Sequence, residues 1–239
     1  MATTPSVPAS TAPLTVGMLL YPGFTLLDLA GPHAALGMHG NTLLFWKTLD
    51  PVLTDTGISL NPTRTFDDAP EHLDVLCVPG GMGTNAAMAD AEVVAFLARM
   101  GPRARYVTSV CSGSLLLGMA GLLDGYRAAT HWAAYDVLSA LGATPGHARV
   151  ERDRNRMTGG GVTAGIDFGL TLLAELRGED VAKLTQLIME YDPQPPFNAG
   201  HPRLAGEALT TTALVALGKD FIDDGLALAR GRSALAKSA

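Results

Sequence analysis

The sequence predicts an α/β fold, a mainly parallel central sheet with helices on both faces. Two observations carry this. Strand-type runs alternate with segments of helical period along most of the chain, and the strand runs are continuously apolar or β-branched, the pattern of strands covered on both sides. With 239 residues, 47% hydrophobic and 17% charged, the chain can bury one substantial core. No linker divides it, so a single domain is expected over 14–232. The low-complexity ends, 1–13 and 233–239, read as a disordered segment and a mobile tail.

In chain order, "LTVGMLL" (14–20) is a first buried strand. "TLLDLAGPHAALGM" (25–38) is a helix interrupted or restarted at Pro32. "NTLLFWKTL" (41–49) is a strand and "PVLTDTGISLNPTRTF" (51–66) is hairpin material around Gly57. "LDVLCVPGG" (73–81) is a buried strand ending in a turn, and "AEVVAFLARMG" (91–101) is a helix. "RYVTSV" (105–110) is a strand, with "SGSLLLGMAGLL" (112–123) as the helix after it. "HWAAYDVLSALG" (131–142) is a helix and "ARVERDRNRMTGG" (148–160) a hairpin turning near Asp153 to Asn155. The helices "TAGIDFGLTLLAELRG" (163–178) and "EDVAKLTQLIMEY" (179–191) follow, and residues 206–230 read as one long terminal helix.

A net charge of -6, from 17 basic and 23 acidic residues, gives no general attraction to phosphate backbones, so nucleic acid is not an expected partner. The N-terminus lacks a signal-peptide pattern, and no apolar run approaches the roughly 20 residues needed to span a bilayer. A cytoplasmic protein without a membrane partner is expected. Two cysteines are too few for a disulfide framework, and the histidines show no metal-ligand spacing.

In such sheets ligands collect beyond the carboxyl ends of the strands. Cys111 stands there, between strand and helix, in "SVCSG". This is the form of a nucleophile elbow, where a tight turn projects the side chain and the helix start favours a thiolate with a lowered pKa. Cys77 lies inside its apolar run and reads as core. The glycines of "PGGMG" allow backbone N–H groups to face the crevice, so Gly81 and Ser112 are candidate oxyanion donors. Asp28, amid leucines, is either a helix N-cap or a crevice carboxyl; in the crevice it would stay protonated and titrate together with Cys111.

These residues carry a resemblance. "LDLAGPH", "DVLCVPGG", "ARYVTSVCSGSLLLGMAGLLDG", "ATHW", "MTGGGVTAGIDF" and "PPFNAG", in that order between Leu14 and Gly200, are similar to the isocyanide hydratase branch of the ThiJ/PfpI superfamily, which is related to class I glutamine amidotransferases. The resemblance implies a flavodoxin-like sandwich, a homodimer, no cofactor, a cysteine nucleophile at Cys111 and an acidic partner at Asp28. Two departures from the wider superfamily point away from peptide hydrolysis. Ser112 stands where protease-like members carry histidine, and aspartate replaces the common glutamate.

Chemistry favours the same choice, because hydrating an isocyanide expels only the enzyme's own thiolate and needs no histidine to protonate a leaving amine. The expected route is a thioimidate on Cys111, with Asp28 moving the protons and an N-substituted formamide as product. His131 reads as structural, and Trp132 as packing rather than a substrate wall. Gly160, Gly161 and Val162 form a possible mobile side of the site. Two rivals remain: an enzyme acting on α-oxoaldehydes, and the sensing half of an AraC-type regulator. The regulator class is disfavoured because the chain shows no basic recognition segment.

Overall fold

The computed structural model describes residues 12–238; the expected disordered segment lies, up to residue 11, outside the described residues. The chain runs β1 (Leu14–Leu19), α1 (Leu26–Leu36), β2 (Gly40–Trp46), the short hairpin β3 (Val52–Leu53) and β4 (Ser59–Leu60), then β5 (Arg64–Thr65) and β6 (Leu73–Val78). Next come α2 (Thr84–Ala89), α3 (Ala91–Met100), β7 (Ala104–Val110), α4 (Gly113–Met119), β8 (Arg127–Ala128), α5 (Tyr135–Ala140) and β9 (Thr144–Pro145). The hairpin β10 (Val150–Asp153) and β11 (Arg156–Gly159) precedes α6 (Ala164–Arg177), α7 (Glu179–Ile188), α8 (Pro202–Ala205), α9 (Glu207–Leu217) and α10 (Lys219–Ser238).

The main sheet has the order β10-β11-β7-β6-β1-β2-β5. Every pairing in it is parallel except β10 with β11, as the apolar strand runs imply. Its central strands are buried nearly throughout, and each enclosed side chain such as Val16, Met18, Leu76 or Val107 contributes roughly 1.5–3 kcal/mol. Helices α1, α6 and α7 pack as one group, and α2, α3, α4, α5 and α10 as another, so both faces are covered. The parallel strands β1, β6 and β7 all end at one edge, where the first turn of α1 with Asp28 meets the turns carrying Gly80 and Cys111.

Two expectations about helices are corrected. Pro32 does not interrupt α1, although it removes the N–H that would bond the Asp28 carbonyl. The ring is instead pressed onto α6 where that helix offers only glycine: a Cβ on Gly165 would come within 3.0 Å of Pro32 Cδ, and one on Gly169 within 3.0 Å of Pro32 Cα. Close packing of two bare helix faces offsets the lost bond. The long terminal helix is two helices, because Gly218 takes φ 87° between α9 and α10, a turn that hydrophobic period does not reveal.

Candidate active site

Strand β7 delivers Cys111 to the sheet edge with φ 56°, a left-handed value that non-glycine residues rarely hold. The surroundings hold it there. Its N–H donates to the carbonyls of Gly160 (2.7 Å) and Gly159 (3.1 Å), and its carbonyl accepts from the hydroxyls of Thr130 and Ser114, both at 3.2 Å. The turn also needs glycine on both sides. A Cβ on Gly113 would sit 2.1 Å from the Val78 carbonyl, and one on Gly80 would sit 2.5 Å from the Ser112 nitrogen. The sulfur-bearing residue is left 7% exposed at the surface of an otherwise sealed core.

Asp28 belongs to the first turn of α1, whose N-cap is Thr25, so the carboxylate does not cap its own helix. It is fully buried, and Oδ2 accepts the Gly80 N–H at 2.9 Å. Oδ1 is buried without a hydrogen-bond partner. Burial pushes the carboxyl up to about 7, against the Gly80 N–H and the neighbouring Cys111 side chain, which favour its charge; Asp55 adds to the rise. Asp28 is the acidic neighbour of Cys111, and each group acts on the other's ionisation.

The thiol behaves differently from the sequence expectation of a lowered pKa. Burial raises it, and the Asp28 charge raises it further; the Ser112 N–H, the Ser112 hydroxyl and the Val162 N–H oppose the rise without reversing it. The Cys111 side chain favours a charged Asp28 while a charged Asp28 disfavours a thiolate, so the buried pair holds at most one negative charge. The Ser112 and Val162 donors face the place where that charge would sit.

A buried hydroxyl chain stands behind these donors. Ser112 Oγ accepts the Gly81 N–H at 3.0 Å and lies 2.8 Å from Thr84 Oγ1. Thr84 donates to the Gly81 carbonyl at 2.7 Å and lies 3.2 Å from the Tyr21 hydroxyl, which donates to the Pro79 carbonyl at 2.9 Å. Gly81, expected to turn its N–H to the crevice, thus spends it on Ser112. Tyr21 and Thr84 escaped sequence reasoning; the only signal was a polar residue opening α2 three positions after Gly81.

The loop 159–163 closes the other side. The Gly160 N–H bonds the Arg149 carbonyl at 2.9 Å, so that residue is pinned at both ends, and Thr163 holds the N-cap position of α6 without a side-chain capping bond. His131 caps the turn that follows it, its Nδ1 accepting the Ala133 N–H at 3.3 Å, and burial lowers its pKa. Trp132, expected to pack, lines a cleft of about 640 Å³ together with His131, Val162 and Phe197. A second cavity, of about 930 Å³ between α10 and α2, contains none of the residues that touch Cys111. Among the described residues no cluster of His, Cys, Asp or Glu is arranged to hold a metal ion. No helix among them is long and apolar enough to cross a membrane.

Fold and site together define a flavodoxin-like α/β protein with a cysteine–carboxyl pair at the strand ends. The chain matches the DJ-1/PfpI family over residues 15–175 and belongs to it. It is 52% identical over 202 residues to the isonitrile hydratase of Pseudomonas putida, covering 84% of this chain and 88% of that one. The structure resembles that of a ThiJ/PfpI family protein from Pseudomonas syringae, with a TM-score of 0.88 and 49% identity across 95% of this chain and 97% of that one. It is also 33% identical to the HTH-type transcriptional regulator GbdR of Pseudomonas aeruginosa, over 77% of this chain but only 53% of the regulator.

Proposed function

We propose that this protein is an isocyanide hydratase, a hydro-lyase that converts an isocyanide and water into an N-substituted formamide. The observation that carries the reading is the pairing of Cys111, held at φ 56°, with a buried carboxyl pushed up to about 7. The similarity to the Pseudomonas putida isonitrile hydratase, across most of both chains, supports it.

In the proposed route the Cys111 sulfur bonds to the terminal isocyanide carbon, and the thiol proton, carried by Asp28, goes to that carbon. The product of this step is a thioimidate, R–N=CH–S–Cys111. Asp28, again ionised, takes a proton from water as its oxygen adds to the same carbon, and that proton passes to nitrogen. When the carbon–sulfur bond breaks, the hydroxyl proton returns to the pair and the formamide leaves. A carboxyl with a pKa near neutrality can make both transfers. The N–H groups of Ser112 and Val162 stabilise charge on sulfur, and Gly81 acts through the Ser112 hydroxyl. With Gly160 pinned, Gly161 and Val162 form the side that shifts to admit the adduct.

The reading includes a homodimer, which the exposed Leu184, Leu187 and Ile188 on α7 favour. Purified protein mixed with phenyl isocyanide is expected to release the formamide, followed by absorbance. Consumption of methylglyoxal with the isocyanide left intact would replace this reading with the α-oxoaldehyde one.

A further inference from the structure

The cleft beside the active site differs in character from the chain around it. Three of its lining residues touch Cys111: Gly160 accepts its N–H, Thr130 donates to its carbonyl, and Val162 directs an N–H at the sulfur. The cleft therefore adjoins the turn that holds Cys111. The protein as a whole carries 23 acidic against 17 basic residues, yet the cleft is lined by Arg149, Arg203, His131, His147 and His201 and by no carboxylate.

The polar groups are also donors by construction. Nδ1 of His131 accepts the Ala133 N–H, and Nδ1 of His201 accepts the Arg203 N–H, so each neutral ring carries its proton on Nε2. The ring edge of His131 bearing Cδ2 and Nε2 faces Gly161, on the wall nearest the sulfur. Of the two guanidinium groups, Arg149 is committed to Asp167 and Thr163. Arg203 has no ion pair or side-chain hydrogen bond among the described residues; its charge acts on the Tyr135 hydroxyl, where that of Glu151 opposes it. Trp132, Tyr135 and Phe197 supply flat apolar walls beside it.

We propose that this cleft is the subsite for the substituent of the substrate, and that it selects isocyanides whose substituent bears a carboxylate, with Arg203 as the recognising residue. The proposal deepens the hydratase reading and rests on it for turnover. Arg203 is exposed, so its effect has the size of one solvent-accessible ion pair.

The test compares 4-isocyanobenzoate with its neutral isostere 4-isocyanobenzamide. The native protein is expected to show a KM about three- to fivefold lower for the carboxylate. Raising the salt concentration should erase the difference, Arg203→Met should bring the KM ratio close to one, and Arg203→Lys should restore part of it. Equal KM values for both compounds in the native protein, or a ratio unmoved by Arg203→Met, would overturn the proposal. A separate arm measures calorimetric binding of the products, 4-formamidobenzoate and 4-formamidobenzamide, to Cys111→Ala protein. Preference for the carboxylate there, with no hydration of either isocyanide by the native protein, would uphold the subsite and end the hydratase reading; no preference would end the subsite.

Discussion

The two cysteines stand within and just beyond two adjacent parallel strands and differ in backbone geometry and surroundings. Cys77 lies within β6, fully buried, opposite Thr108 of β7 in register. Burial pushes its thiol up to about 12, with the Thr108 hydroxyl opposing. Cys111 lies one residue past the end of β7, and burial raises its thiol as well. Burial therefore does not separate them. What separates them is backbone geometry and company: Cys111 has a left-handed φ, three opposing donors and a protonatable neighbour. The two differ in the turn that holds Cys111, not in the strands that lead to them.

The widest test of that contrast exchanges each thiol for a methyl. Cys111→Ala is expected to lower hydration by at least roughly 10³-fold. Cys77→Ala should leave turnover within about twofold and cost about 1–2 kcal/mol of stability, read from urea unfolding. Comparable losses of turnover at both positions would erase the distinction.

Next in size is Asp28, which acts on Cys77 through its charge alone but lies beside the Cys111 side chain. Asp28→Asn keeps an acceptor for the Gly80 N–H but cannot carry a proton, so kcat should fall roughly 10²- to 10³-fold with the fold intact by circular dichroism. The same variant exposes a stability effect. The folded carboxyl has its pKa raised from an ordinary 3.8 to about 7, so the fold prefers it protonated. Its contribution is complete below pH 4 and is lost as pH rises through 7, by roughly 4 kcal/mol relative to Asp28→Asn. A stability difference that stays flat between pH 4 and 8 would show an ordinary carboxylate.

The smallest effect probes the hydroxyl chain. Thr84→Val removes the partner of the Ser112 hydroxyl and should lower kcat about three- to tenfold while KM holds.

The sheet was legible because β1, β6 and β7 read as unbroken apolar runs, which only a doubly covered strand tolerates. Cys111 was legible because a thiol at a strand-to-helix turn beside small residues has few structural uses. What stayed hidden was tertiary. Pro32 sits in a continuous helix because Gly165 and Gly169, far along the chain, leave room for its ring. The Gly81 N–H was spoken for by Ser112, a residue 31 positions away. Asp28 allowed two readings because Thr25, which holds the N-cap position, lies only three residues before it. No local pattern encodes such approaches.

The left-handed backbone at Cys111 has one more implication. Glycine would adopt φ 56° without the roughly 1 kcal/mol of strain that a side chain brings. A library selected only for surviving heat would therefore drift toward glycine at 111 and discard the sulfur, whereas, on the proposed route, selection on product would retain it. Durability and purpose favour different residues at this one position.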